Sequence, residues 1–354
     1  MRLPVTYLKP GMKLSKPVYG NSGELLLNRG IELTTKYIKS LERNNVVVVD
    51  VEGPVPLDEM EIKEELSVQL RIKTMKKLHS FAKESNGIHI YEFMDSVEAL
   101  LEEVLSGKGV TDHLVDLCSS DLYTFAHSVD VCVLSMLCGM KLGYDKEKLL
   151  ALGIGAILHD LGKTLIDPEI LNKPGKLTQE EFEVIMTHPL KGWQLVKEKD
   201  GDALSPRSKA VILNHHERYD GSGYPRNLKS NQIDPFSAIC SVADVYNAMT
   251  TDRVYRKAFP PHEVYEMLLA SGDIKFNKDV IRAFLSCVNP YPVGTYVKLS
   301  NGKIGCVVSQ NDSLPFRPRV KVIPSGEILD LERELSLVIE SVLSHEKIKE
   351  LFYA

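Results

Sequence analysis

The sequence lacks several features that would assign it to common protein classes. Its six cysteines form no C-x-x-C pair, which favours buried reduced thiols over a disulfide framework. The apolar run at 149–158 is well short of the roughly 18 residues that span a bilayer. The N-terminus has no apolar signal-peptide core, which predicts cytoplasmic residence. A net charge of -5 argues against a protein that holds long nucleic acid by neutralising phosphates.

The chain of 354 residues predicts two or three domains with a mainly α-helical fold. Turn signals between short apolar stretches favour a small N-terminal α/β module, and Asn301-Gly302 between two β-rich runs predicts a hairpin. Residues 57–109 have helical periodicity and charged faces, which indicates either a helix packed on its own chain or a homodimer seam. The predicted units are an α/β module (1–56), a helical connector (57–109), a helical domain (110–289), a small β-rich module (290–334) and a C-terminal helix (335–354).

The stretch LLALGIGAILHDLGK at 149–163 organises the helical domain. Its ten apolar or glycine residues lack a polar face, so as a helix it should be buried on all sides. His159 and Asp160 follow directly, and a carboxylate at the end of a buried helix is costly unless a positive charge compensates it. A metal ion would supply that charge.

Histidines and aspartates at helix ends or in apolar runs of this domain extend the metal hypothesis. One such histidine alone would more often be a hydrogen-bonded core residue. Seven together favour metal, and imidazole with carboxylate but without cysteine suits iron, manganese, nickel or zinc. The candidate ligands are His127, His159, Asp160, His188, His215, His216 and Asp244.

Seven ligands are enough for two metal ions that share one bridge. We assign His127, His159, Asp160 and Asp244 to the first ion, and Asp160, His188, His215 and His216 to the second. Asp160 would bridge them, one oxygen to each. Two such ions can hold a bridging hydroxide and clamp a phosphoryl oxygen, which suits phosphoester hydrolysis.

Four sequence blocks resemble the HD-GYP domain, a subgroup of the HD phosphohydrolases. They are HDLGK at 159–163, THP at 187–189, HHERYDGSGYP at 215–225 and ADVYNAMTTDRVYR at 243–256, and the resemblance covers about residues 110–288. It implies an HD-type helical bundle and a cytosolic bacterial phosphodiesterase with two divalent non-haem metal ions, iron first and manganese as the alternative. Such enzymes open cyclic di-GMP to pGpG and often continue to GMP, and some members prefer 3′,3′-cyclic GMP-AMP.

The resemblance also implies roles for individual residues. Asp160 and Lys163 would be catalytic, with Lys163 on the scissile phosphate, and Tyr224, Arg253, Arg256 and Asn247 would join Lys163 around the substrate. Chemically, Lys163 lies three residues beyond Asp160 with Gly162 freeing the backbone, so its ammonium can stabilise negative charge in the transition state. Arg253 and Arg256 share a face if they are helical. A surface lysine, surface ion pairs and a purely structural glycine turn are the simpler alternatives.

Three positions depart from the family pattern. Tyr123 stands where some members carry a glutamate and bind three metals, so we expect two. Asn247 replaces the usual aspartate of A-D-x-Y-D and removes a charge near the site. Val254 replaces the usual proline, which should only loosen the turn.

Other interpretations stay open at this point. The protein could be a non-hydrolysing scaffold that binds a cyclic dinucleotide or a diguanylate cyclase (GGDEF) protein through the GYP face. It could also hydrolyse another phosphoester, although the GYP block disfavours this. Residues 164–188 could be a lid over the metals or a plain connector.

Overall fold

The computed structural model describes most of the chain in two compact units. One unit comprises Met1–Lys63, Pro260–His262 and Val288–Ala354, and the other Glu64–Phe259 and Glu263–Cys287. The described residues are 2–5, 8–20, 24–44, 46, 48–53, 67–83, 90–107, 123–173, 175–200, 203–251, 258–288, 290–311, 314–343 and 347–348.

The N-terminal part of the first unit is the predicted α/β module. Its elements are β1 (Arg2–Pro4), β2 (Val18–Tyr19), β3 (Leu25–Leu27), α1 (Thr35–Arg43) and β4 (Val48–Asp50). Antiparallel pairs form between β1 and β4 and between β2 and β3. Thr34 begins the helix by accepting a hydrogen bond from the Tyr37 amide at 3.2 Å. Leu14, Leu33 and Leu41 are buried in the core of this module.

The second unit is almost entirely helical. Its helices are α2 (Val68–Lys83), α3 (Ile90–Leu105), α4 (Tyr123–Lys141), α5 (Lys146–Leu158), α6 (Pro168–Leu171), α7 (Gln179–Met186), α8 (His188–Asp200), α9 (Pro206–Asn214), α10 (Pro235–Thr250), α11 (Pro261–Ala270, whose first residues belong to the other unit) and α12 (Lys278–Leu285). Short 3-10 helices span Leu161–Leu165 and Ser230–Gln232. Every residue of α5 from 152 to 158 is buried, as expected for a helix without a polar face.

The predicted connector is part of the helical unit. The described part of 57–109 forms α2, which packs on α3 and α4, and α3, which packs also on α4 and α5. Phe81 and Phe93 stack with ring centroids 6.1 Å apart, and both are fully buried together with Met75 and Leu100. A separate connector is therefore wrong for these residues, because their apolar side chains are buried within the chain. The same burial favours packing on the own chain over a dimer seam.

The C-terminal part of the first unit is an antiparallel sheet. Its strands are β5 (Tyr296–Leu299), β6 (Ile304–Ser309), β7 (Arg319–Ile323), β8 (Ile328–Asp330) and β9 (Ile339–Val342), in the order β8-β7-β6-β5-β9. Tyr296 pairs with Cys306 across the β5–β6 hairpin, whose turn contains Gly302 at a φ of 80°. This hairpin and the helical bundle confirm the predicted fold class.

The predicted C-terminal helix over 335–354 is wrong for residues 339–342. These residues form strand β9, which pairs antiparallel with β5 so that Val297 lies opposite Val342. Ile339 and Val342 pack against the apolar core of the sheet. Pairing with the open edge of β5 and the partial burial of these β-branched side chains outweigh the local helical pattern. Residues 347–348 are helical, and the other residues beyond 343 lie outside the described part.

Two expectations from composition can be compared with the described residues. All five described cysteines are free thiols, and four of them are buried. None of the described helices combines the length and apolarity that crossing a membrane requires.

Candidate metal centre

The structure brings all seven candidate ligands together in the helical unit. His127 lies on α4, His159 and Asp160 follow α5, His188 begins α8, His215 and His216 follow α9, and Asp244 lies on α10. Asp160, His188, His215 and His216 form one group, and His127, His159 and Asp244 form another. Within each group the ligand atoms all lie within 4.8 Å of one another. This is the division expected for two ions, except that Asp160, expected in both sets, falls in the first group only.

Asp160 lies between the two groups and is only 1% exposed. Its Oδ1 is 3.4 Å from His188 Nε2 and 3.8 Å from His215 Nε2. Its Oδ2 is 3.5 Å from His159 Nε2 and 3.8 Å from His127 Nε2. Each carboxylate oxygen thus faces one group, the arrangement that a shared ligand requires.

Three of the rings are held by the backbone of the helix that precedes them. In each, Nδ1 donates to the carbonyl three residues earlier, in the last turn of a helix, where carbonyls lack their usual helical partners. Since a carbonyl only accepts, Nδ1 must carry the proton and Nε2 presents a lone pair. The distances are 2.6 Å for His159 on Ala156, 2.7 Å for His188 on Ile185 and 3.1 Å for His215 on Ile212.

Because this anchoring places the protons on Nδ1, the Nε2 atoms that face the centre carry lone pairs, and no positive charge from the described part of the chain lies between them. His188 Nε2 and His215 Nε2 are 3.2 Å apart, and both rings are fully buried. With both protons on Nδ1, the two lone pairs face each other. His159 Nε2 is buried and has no hydrogen-bond partner among the described residues. A divalent cation fits this donor set of imidazole nitrogens and carboxylates, so the centre has the chemistry of a divalent metal site.

The protonation states also suit metal ligation. Burial lowers the pKa of His159, and it lowers those of His215 and His216 well below the ordinary value, reinforced by neighbouring imidazoles. Burial alone would raise the pKa of Asp160, but the neighbouring Lys163 ammonium outweighs it, and that pKa lies well below its usual range. These three rings are therefore neutral and the Asp160 carboxylate is ionised, as metal ligands must be.

His127 is anchored differently from the three backbone-held rings. It lies within α4, and its Nδ1 is 2.5 Å from Oδ1 of Asn247 on α10. Its Nε2 is 3.1 Å from Oδ1 of Asp244, one turn earlier on α10. The Asn247 side chain is fully buried behind the ring rather than on an open face of the site, where a substrate contact was predicted. The i,i+3 spacing of Asp244 and Asn247 was the signal for this shared face.

Lys163 follows the centre on the 3-10 helix Leu161–Leu165. Its Nζ is 2.6 Å from Oδ2 of Asp160, and its side chain is 20% exposed. Gly162 serves close packing rather than backbone freedom, since its φ is not in the left-handed region. A Cβ on Gly162 would overlap the carbonyl oxygen of His188. The glycine thus allows His188, at the start of α8, to lie against the turn that follows His159-Asp160 (the HD turn).

The loop that contains Gly223, Tyr224 and Pro225 (the GYP loop) is held by Glu217, a residue that the sequence did not single out. Glu217 is 2% exposed, and its two carboxylate oxygens accept from the amides of Arg226 at 2.7 Å and Leu228 at 2.8 Å. The Tyr224 ring stacks on His216 with centroids 4.7 Å apart, and its peptide bond to Pro225 is cis. The acidic residue directly after the histidine pair was the available signal.

Some predicted contacts lie outside the described residues. Arg253 and Arg256 fall in the range 252–257, and the side chain of Tyr123 is likewise not described. In the segment proposed as lid or connector, α6 and α7 contain no buried residue, and Lys173 bonds both oxygens of Glu181 at 2.7 Å. Its role as a lid stays a prediction.

Comparison with known proteins finds matches for the helical unit and for the C-terminal sheet. The family model described as HD domain matches residues 114–280. A second model, a KOW domain associated with the HD domain, matches residues 296–351, which include the five-stranded sheet. The predicted resemblance to the HD-GYP group is thereby confirmed at the level of the domain.

Curated relatives of the HD domain are named as phosphodiesterases. The chain is 38% identical over 232 residues to cyclic di-GMP phosphodiesterase PA4108 of Pseudomonas aeruginosa, covering 66% of this chain and 55% of that protein. It is 36% identical over 168 residues to 3'3'-cGAMP-specific phosphodiesterase 1 of Vibrio cholerae, covering 48% of this chain and 38% of that protein. The match thus spans about half or less of each relative.

A solved structure supports the fold. Bd1817, an HDG"Y"P protein from Bdellovibrio bacteriovorus, has a TM-score of 0.51 to this chain at 19% sequence identity. The similarity covers 80% of this chain and 98% of that one. The HD-type helical bundle is therefore found both by family match and by fold.

Proposed function

We propose that this protein is a metal-dependent phosphodiesterase that opens cyclic di-GMP to pGpG, with GMP as a further product. The observation that carries the proposal is the position of Asp160, whose two oxygens face two separate groups of imidazole and carboxylate donors. The names of relatives such as PA4108 support the choice of substrate.

The proposed ligands are the seven residues of the two groups, with Asp160 shared. We propose two divalent ions, iron first and manganese as the alternative, because nitrogen and carboxylate donors without thiolate suit both. When bound, such a pair supplies a water activated for attack and positive charge for the phosphoryl oxygens.

The chain's own residues would complete the site around the phosphate. Lys163 can hold a phosphoryl oxygen beside Asp160, because its partly exposed ammonium lies at the edge of the centre. Tyr224 stands over His216 and would line the pocket against a guanine base. Arg253 and Arg256 stay predicted phosphate contacts.

A second substrate is favoured by one specific relative. The Vibrio cholerae protein is named as specific for 3'3'-cGAMP and is 36% identical over the matched residues, so hydrolysis of that nucleotide is the alternative activity. A homodimer, binding of GGDEF proteins and cytoplasmic residence are further predictions.

The test is anaerobic purification followed by metal analysis and product chromatography on both cyclic dinucleotides. Wild type should carry about two metal ions per chain and release linear product. Asp160→Ala should deplete the metal and abolish turnover. Lys298→Ala removes an exposed ion pair with Glu340 in the sheet of the other unit and should leave metal content and turnover unchanged.

Two results would contradict the proposal. Normal hydrolysis by Asp160→Ala would remove the shared carboxylate from the mechanism. A fully metal-loaded wild type that binds cyclic dinucleotide without releasing product would favour the non-hydrolysing scaffold instead.

A further inference from the structure

We propose that Asn247 is a positioning residue that holds the proton of His127 on Nδ1 and thereby makes Nε2 of His127 available as a metal ligand. This inference rests on the metal centre of the proposed function. It concerns a side chain that does not itself offer a ligand atom to either donor group.

The first step is that His127 lacks the anchor used by the other buried rings. His159, His188 and His215 each donate to a carbonyl in the final turn of a helix. His127 is the fifth residue of α4, and the carbonyls one turn earlier belong to the hydrogen bonds of the helix itself. The Thr124 carbonyl, three residues before the ring, also accepts from Ser128 Oγ at 3.0 Å. A side chain from another helix must therefore orient this ring.

The second step is the chemistry of that side chain. Asn247 presents its amide oxygen to His127 Nδ1 at 2.5 Å. An amide oxygen only accepts, so Nδ1 carries the proton in this arrangement. Nε2 then has a lone pair, and it faces the Asp244 carboxylate at 3.1 Å, which also only accepts. A cation between His127 Nε2 and the Asp244 oxygen would accept the lone pairs of both atoms.

The third step is that the opposite tautomer would remove the ligand. With the proton on Nε2, His127 would donate to Asp244, and the pair would be an ordinary buried hydrogen bond. The amide oxygen of Asn247 would then face the lone pair of Nδ1 in a fully buried place, at the cost of an unmade hydrogen bond. One face of α10 thus contacts both nitrogens of the ring and selects the metal-binding form.

Metal affinity tests the inference without any measurement of turnover. The apo protein is titrated with Mn²⁺ by calorimetry for wild type, Asn247→Leu and Asn247→Asp. Leucine has similar size and accepts no hydrogen bond, so one of the two sites should lose about 10- to 100-fold in affinity. Aspartate also only accepts, and it should restore the affinity to the wild-type value or above.

The matched control is Asn214→Leu. Asn214 is also a buried asparagine, and it lies next to His215, but its Oδ1 has no hydrogen-bond partner among the described residues. Its replacement should leave both Mn²⁺ affinities unchanged. An Asn247→Leu protein that binds two ions as tightly as wild type would overturn the inference, as would equal losses in Asn247→Leu and Asn247→Asp.

A second measurement needs no variant at position 247. NMR of metal-free wild type with ¹⁵N-labelled histidine, with the His127 signals identified by their absence in His127→Gln, reports which nitrogen carries the proton. We expect Nδ1, and a proton on Nε2 would overturn the inference.

The two proposals can fail separately. Loss of affinity in Asn247→Leu in a protein that hydrolyses neither cyclic dinucleotide would leave the inference standing and reject the function. Hydrolysis of a cyclic dinucleotide by wild type, together with an unchanged Mn²⁺ affinity in Asn247→Leu, would reject the inference and leave the proposed function standing.

Discussion

Four of the five rings of the candidate metal centre are anchored in one of two ways. His159, His188 and His215 rest on backbone carbonyls at helix ends, whereas His127 rests on the side chain of Asn247. A backbone anchor exists wherever a helix ends, and no substitution of a single side chain removes it. A side-chain anchor depends on a second residue from a distant part of the chain. His127 is therefore held by a single replaceable side chain that is not itself a proposed ligand.

The largest expected effect comes from removing a ring of either kind. His215→Ala and His127→Ala should each lower the hydrolysis rate at least about 100-fold and release at least one metal ion per chain. Metal analysis and product chromatography measure both effects. The control is His262→Ala, because His262 lies in the other unit. It should change neither the hydrolysis rate nor the metal content. A His215→Ala protein with full metal content would end the assignment of that ring.

Gly162→Ala should displace His188, one of the backbone-anchored rings, without changing a ligand. The new methyl group would overlap the His188 carbonyl and push α8 away from the HD turn. We expect a loss of about 3 kcal/mol in the free energy of unfolding, or roughly 6–12 °C in Tm. Gly272→Ala is the matched control, because its nearest atom lies 3.4 Å away in ordinary contact. Equal Tm values for the two variants would refute the close approach.

Glu217→Ala tests the loop that brings Tyr224 over His216. The change leaves the amides of Arg226 and Leu228 without their carboxylate partner, so we expect a loss of about 2 kcal/mol. Displacement of Tyr224 should raise KM more than it lowers kcat. Glu217→Gln keeps one acceptor oxygen and should show about half of the loss in thermal unfolding. An unchanged KM in Glu217→Ala would separate Tyr224 from substrate binding.

The smallest expected effect is the pH dependence of the metal-free protein. Burial lowers the pKa values of His159, His215 and His216 below the ordinary 6.5. A lowered histidine pKa means that the unfolded chain binds protons first, so stability should fall as the pH drops below about 6.5. Asp160 and Asp244, whose pKa values are also depressed, should add a further loss below about pH 4.

Thermal unfolding of the EDTA-treated protein between pH 7.5 and 5.5 measures this dependence. Wild type should lose Tm on acidification, and His215→Ala should lose less. A Tm that is constant or rises toward pH 5.5 would contradict neutral buried rings.

The sequence by itself was enough to name the seven candidate ligands and to predict the helical character of the domain. The buried run before His159-Asp160 and the histidines at helix ends are local patterns. A histidine at the end of a helix lies close enough to the last turn for its Nδ1 to donate to a carbonyl there. The Asn301-Gly302 hairpin was likewise readable, because its turn chemistry involves neighbouring residues only.

Only the tertiary structure decided what depends on distant partners. Asn247 lies 120 positions after His127, and no local pattern shows which atom of the ring it contacts. Gly162 faces a helix that begins at His188, and β9 forms because β5 offers an open edge. Periodicity reports how one element is buried, whereas hydrogen bonds between elements depend on packing that brings residues together across the chain.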